Sequence, residues 1–172
     1  MAQIVGYIAV SLDGYIADAD GGVGWLDDFQ DVEYGFDEFF AGIRTVVLGR
    51  TTFEQVLGFG WPYAGRRGLV VTSREVDAAP DGVEAWRAGI AALVDHLRGL
   101  TDGDAWVVGG GRLQQAMLEA DAIDRLDIFV LPVTLGDGVP LFPKTGRSLR
   151  FELDAATPLP AGMLRLTYRP RR

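Results

Sequence analysis

A three-layer α/β fold, with a mostly parallel central sheet, flanking helices and antiparallel C-terminal strands, follows from three features of the chain. Short apolar runs alternate with amphipathic stretches over the first two thirds, the pattern of parallel strands joined by crossover helices. The last third carries strand after strand without a helical period, so the sheet should finish with antiparallel additions. Across 172 residues the hydrophobic fraction is 48%, with no break in composition, which predicts one core and a single domain over residues 1–172.

The elements read in order as follows. Ile4–Val10 is the first strand, an apolar run rich in β-branched residues. Asp31–Ala41 reads as a helix, because Tyr34, Phe36, Phe39 and Phe40 recur near a helical period. Thr45–Leu48 is a strand feeding a helix over Thr52–Leu57, and Gly68–Thr72 and Val83–Trp86 are strands preceding a helix over Gly89–Leu100. Ala105–Val108 is a strand that empties through three glycines into a helix over Arg112–Leu118, whose Leu113, Ala116 and Met117 share one face. Leu126–Val133 and Leu164–Tyr168 complete the sheet, with Phe151–Leu153 a shorter candidate strand. The glycine- and proline-rich connections Asp18–Gly24, Gly58–Gly68 and Gly136–Pro143 are candidate binding loops.

Composition excludes several function classes. A net charge of −8 argues against a nucleic-acid partner, which needs a basic face. No apolar run approaches the roughly 20 residues that span a bilayer. Met1 leads directly into the first strand without a basic leader, so a cytoplasmic location is the expectation. The absence of cysteine removes thiolate nucleophiles and cysteine-based zinc sites, and no metal site is expected. The single histidine, His96, falls on the polar side of a helical pattern.

Three strand ends carry groups suited to phosphate. Val108 runs into Gly109, Gly110, Gly111 and Arg112, with Leu113 and Gln114 next. Missing side chains there let a ligand approach unpaired helix N–H groups at the positive end of a dipole. The spacing departs from the dinucleotide fingerprint, since Gln114 stands where the third glycine belongs. Leu48 runs into Gly49, Arg50, Thr51 and Thr52, which combine the same geometry with hydroxyls and a guanidinium. Val71 runs into Thr72, Ser73 and Arg74. Ligands collect outside the carboxyl ends of strands in open α/β sheets, so three such ends point to one crevice.

The segments Ser11–Ala17, Val47–Phe53, Val70–Arg74, Trp106–Arg112 and Pro132–Phe142 resemble, in order, the dihydrofolate reductase superfamily and within it the riboflavin-biosynthesis reductase branch, the C-terminal domain of bifunctional deaminase-reductases. The resemblance implies a dihydrofolate reductase-like fold, NADPH as hydride donor, and reduction of a 5-amino-6-(5-phosphoribosylamino)uracil-type pyrimidine. It sets Gly49, Arg50, Thr51 and Thr52 on the cofactor phosphates, with Arg50 facing the adenosine 2′-phosphate shared by Thr72, Ser73 and Arg74. Val108, Gly109, Gly110, Gly111, Arg112, Leu113 and Gln114 fall under the pyrophosphate, and Ala9, Val10 and Gly14 along the nicotinamide.

On the substrate side the resemblance implies Trp25, Phe36 and Arg66, and a proton-relaying carboxylate on the first helix. Ungapped counting from Gly49 nominates Glu33, with Asp31 the neighbouring choice and Asp27, Asp28 and Asp37 within a small loop change. The alternatives are a dihydrofolate reductase acting on a pterin, and a non-catalytic NADP-binding protein. The partners implied are a small pyrimidine or pterin substrate and a second copy of the chain, since the branch commonly forms homodimers.

Overall fold

The computed structural model describes residues 2–171. Its main sheet is built from β1 (Ile4–Ser11), β3 (Ile43–Gly49), β4 (Arg67–Val71), β5 (Val83–Trp86), β6 (Asp104–Gly109), β7 (Arg125–Leu131), β9 (Phe151–Pro158) and β10 (Leu164–Pro170). The spatial order is β5-β4-β3-β6-β1-β7-β10-β9. The first six strands in that order are mutually parallel, and β10 and β9 join antiparallel. Two short strands, β2 (Tyr15–Ala17) and β8 (Val139–Pro140), pair as a separate antiparallel ribbon.

Helices α1 (Phe36–Gly42), α2 (Arg50–Gly58), α3 (Gly89–Arg98) and α4 (Gly111–Glu119) cover the two faces. Alternation along β1 divides the core: Ile4, Ile8 and Val10 pack with Leu93 and Leu97 of α3 and Leu113 and Met117 of α4. Val5, Tyr7 and Ala9 face the other way, onto Phe36, Phe39 and Phe40 of α1 and Phe53 of α2. Each cluster closes one side of the sheet, which gives the three layers expected.

Several boundaries differ from the sequence reading. The helix expected from Asp31 begins at Phe36, because Gly35 before it has φ +80° and breaks the helical path. Asp31 to Tyr34 form a turn and an extended connection instead. Strand β9 runs five residues beyond Leu153, to Pro158; all of it after Phe151 is exposed, so no buried alternation marked it. The β2–β8 ribbon escaped notice because strands of three and two residues carry no period.

Candidate functional site

Strands β3 and β6 are neighbours whose register brings Leu48 opposite Gly109, so their carboxyl ends open side by side. Each passes at once into a helix through glycine: Gly49 is the N-cap of α2 and Gly110 the N-cap of α4. Neither cap carries a side-chain hydrogen bond, and neither helix has an acidic residue in its first turn. By contrast α1 places Asp37 and Glu38 in its own first turn. Two helix N-termini with uncapped N–H groups and no resident carboxylate therefore converge at one place, an arrangement that attracts an anion.

Space is available there. A crevice of about 840 Å³ is lined by both glycine turns, by Tyr7, Ile8 and Ala9 of β1, and by Ile16, Ala17 and Val139 of the small ribbon. A Cβ on Gly49 would stand 3.7 Å from the Gly110 nitrogen, and one on Gly110 would stand 3.2 Å from Thr52 Oγ1. Side chains at these positions would thus occupy the cradle where the turns meet. Loop 18–24 borders the crevice through Gly21 and Val23, and Gln55 of α2 holds it by donating from Nε2 to the Gly21 carbonyl at 2.8 Å. The ribbon is anchored from below by Asp13. Its carboxylate accepts from Ser11 Oγ at 2.6 Å and from the backbone N–H groups of Leu135 and Gly136. Those bonds, the Ser11 hydroxyl foremost, hold the Asp13 carboxyl below its ordinary pKa.

Of the residues expected at the cofactor, Ala9, Gly49, Arg50, Thr51, Thr52, Val108, Gly109, Gly110, Gly111, Arg112 and Leu113 line this crevice. The Arg50 guanidinium is fixed, donating from Nε to Glu54 at 2.7 Å and from one Nη to the Glu75 carbonyl at 2.6 Å. Arg112 is exposed on the first turn of α4, with no ion pair among the described residues. Thr72, Ser73 and Arg74 follow the last residue of β4; Val71 lines the crevice, and these three lie beyond it.

Other expected positions are not in the crevice. Val10 and Gly14 border a second, apolar cavity of about 510 Å³, lined also by Leu126, Ile128 and Val130 of β7. Gln114 is wholly buried with its amide against Gly6, since its place on α4 turns it toward the sheet. Trp25 and Phe36 are half-buried in the α1-side core, and Arg66 lies over the Phe40 ring at 4.6 Å while donating to the Phe40 carbonyl. Asp31 and Glu33 are exposed, and neither lines the crevice. Among the described residues no carboxylate lines it at all.

The space between α1 and β1 is filled by aromatic rings. Tyr7 stacks on Phe39 with centroids 4.0 Å apart and meets Phe129 at 4.5 Å. Phe36 and Phe39 pack edge-on against Trp106. Burial raises the Tyr7 pKa, against the opposing influence of Arg165, and its hydroxyl donates to the Tyr34 carbonyl. The outer part of the crevice was missed residue by residue: Leu26, Val56, Phe59, Pro62 and Tyr63 form it. The glycine- and proline-rich composition of Gly58–Gly68 marked the loop but not which of its side chains turn inward.

The chain is similar in sequence and fold to known proteins. The RibD C-terminal domain family model matches residues 2–164. The Bacillus subtilis (strain 168) protein YwjB, itself uncharacterized, is 36% identical over 150 residues, covering 86% of both chains. A putative riboflavin biosynthesis protein from Shewanella sp. PV-4 superposes with a TM-score of 0.87 at 32% identity, over the full length of both chains. Dihydrofolate reductase from Enterococcus faecalis, complexed with NADP(H), shares the fold with a TM-score of 0.73 at 23% identity, over 99% of this chain and 97% of that one. The chain belongs to the RibD C-terminal domain family and has the dihydrofolate reductase fold.

Proposed function

We propose that the protein is an NADPH-dependent reductase that delivers a hydride to a small heterocyclic substrate. The observation that carries this reading is the convergence of two uncapped, acid-free helix N-termini on one crevice through glycine turns. The family is one of NADPH-dependent reductases, and the residues here fit that cofactor: the cradle at Gly49 and Gly110 has the room and the donors a pyrophosphate needs. Arg50 and Arg112 supply positive charge beside the cradle, and Ala9 and Val108 leave apolar, side-chain-poor space for the nicotinamide.

When bound, NADPH supplies the hydride. The chain's task is to orient two rings face to face and to keep water out. Ala9 and Ile8 form the floor, and loop 18–24, tied to α2 through Gln55, forms one wall. No cysteine or histidine is needed. The test is a titration with NADPH followed by nicotinamide fluorescence. The reading expects saturable binding with a blue-shifted, enhanced signal, and the absence of saturable binding overturns it.

Two narrower readings follow from specific observations. The missing carboxylate favours a non-catalytic NADP-binding protein over a dihydrofolate reductase, because a pterin reductase relays a proton through an acid. Consumption of NADPH by any heterocycle separates the reductase from the silent binder. The branch substrate, 5-amino-6-(5-phosphoribosylamino)uracil, is the first compound to compare.

A further inference from the structure

The crevice is polarised. Among the described residues its cationic lining residues are Arg50 and Arg112, which stand at the glycine turns, where the cofactor phosphates are proposed to bind. The outer part, lined by Val23, Leu26, Val56, Phe59, Pro62 and Tyr63, is apolar and carries no charged side chain. Arg66, the nearest cation along the sequence, is committed to the Phe40 ring and carbonyl. A substrate phosphate there would meet apolar walls and find no counter-charge in the lining.

Tyr63 brings a hydroxyl to this end. Tyr63 is nearly buried, wedged edge-on between Trp61 at 5.0 Å and Trp106 at 5.5 Å, and its hydroxyl has no hydrogen-bond partner among the described residues. Burial pushes the Tyr63 pKa up to about 12, so the phenol keeps its proton at neutral pH. Tyr63 lines the crevice and its hydroxyl has no acceptor among the described residues, so a ligand that brings one can pair with it.

We infer that the outer crevice takes a flat, uncharged, carbonyl-bearing ring without a phosphate group, and that Tyr63 Oη donates to its carbonyl oxygen. The inference rests on the reductase reading above. The carbonyl carbon receives the hydride, and the C=O π pair moves to oxygen. That oxygen takes the proton from Tyr63 Oη, and the phenolate regains a proton from water. The ring leaves as the alcohol, and the cofactor as NADP+.

Isatin, an uncharged indole dione, is the probe. Three measurements are made on the full chain, wild type and Tyr63→Phe: NADPH binding, isatin binding by quenching of tryptophan fluorescence without cofactor, and isatin-dependent NADPH oxidation. The inference expects wild type to bind and reduce isatin, and to do so faster than 5-amino-6-(5-phosphoribosylamino)uracil. Tyr63→Phe is expected to weaken isatin binding several-fold and to lower kcat about a hundredfold, with NADPH affinity and melting temperature unchanged. Normal NADPH binding without isatin reduction, or preference for the phosphoribosyl compound, overturns the substrate assignment and leaves the reductase reading intact. An unchanged kcat in Tyr63→Phe overturns the role of Tyr63. Failure to bind NADPH overturns the reading beneath both.

Discussion

Gly49 and Gly110 sit so close that a Cβ on the first would lie 3.7 Å from the backbone nitrogen of the second. Gly49 ends β3 and Gly110 follows β6, and each caps its own helix, so one point in space receives the N-terminal ends of α2 and α4. Gly110→Ala puts a methyl 3.2 Å from Thr52 Oγ1, a contact the threonine can relieve by a small shift. Folding should survive, while NADPH affinity falls about tenfold, or about 1.4 kcal/mol. Paired fluorescence titrations and melting curves check this, and an unchanged dissociation constant would count against the cradle.

Arg50 is held by Glu54 and the Glu75 carbonyl, so its guanidinium is already positioned before a ligand arrives. If it faces the 2′-phosphate, Arg50→Ala should weaken NADPH by about 1.5–3 kcal/mol, the range of a hydrogen bond to a charged group, and leave NADH nearly untouched. Equal losses for the two nucleotides would place Arg50 elsewhere.

Asp127 is wholly buried on β7 and accepts from Arg125, from Arg165 and from Thr167 Oγ1 at 2.6 Å. Asp127→Ala strands two guanidiniums beside the aromatic core. The expected loss is about 3 kcal/mol, the low end for a broken buried pair, because both arginines keep about a third of their surface in water. Urea denaturation measures it, and a loss under about 1 kcal/mol would show that the network contributes little.

Asp13 carries the acid sensitivity of the ribbon. Its pKa is lowered in the fold, chiefly by Ser11, so the ionised carboxylate is the form that holds Leu135 and Gly136. The contribution is complete above the ordinary aspartate value near 4 and fades as pH falls through the lowered folded value. Hydrogen-exchange protection at Leu135 and Gly136 should drop over that acid window, and Asp13→Ala should lack it at every pH. Protection that ignores both pH and the substitution would contradict the assignment.

Strand β9 leaves one edge of the sheet unpaired, and Leu153 on it is 52% exposed. A homodimer through this edge is the expected assembly. Light scattering should give twice the chain mass, and Leu153→Glu should shift the population toward monomer. A monomeric wild type would remove the expectation.

Much of the sheet was legible because buried parallel strands carry apolar runs, as in Ile4–Val10 and Ile128–Leu131. The glycine turns were legible for a chemical reason, since Gly49 and Gly109–Gly111 directly follow such runs. What remained hidden depended on pairings far apart in the chain. Gln114 looked like part of the phosphate turn, but Gly6, more than a hundred residues away, provides the space into which its side chain folds. Asp31 and Glu33 looked helical beside aromatics, until the left-handed Gly35 separated them from α1. Tyr63 sits in a loop without periodicity, where its neighbours Trp61 and Trp106 are fixed only by the tertiary fold.

The most direct test of the central claim is a crystal structure of the protein soaked with NADP+. The account predicts the pyrophosphate at the backbone N–H groups of α2 and α4, the 2′-phosphate at Arg50 and the nicotinamide against Ala9. Nucleotide bound elsewhere, or an empty crevice at saturating NADP+, would contradict it.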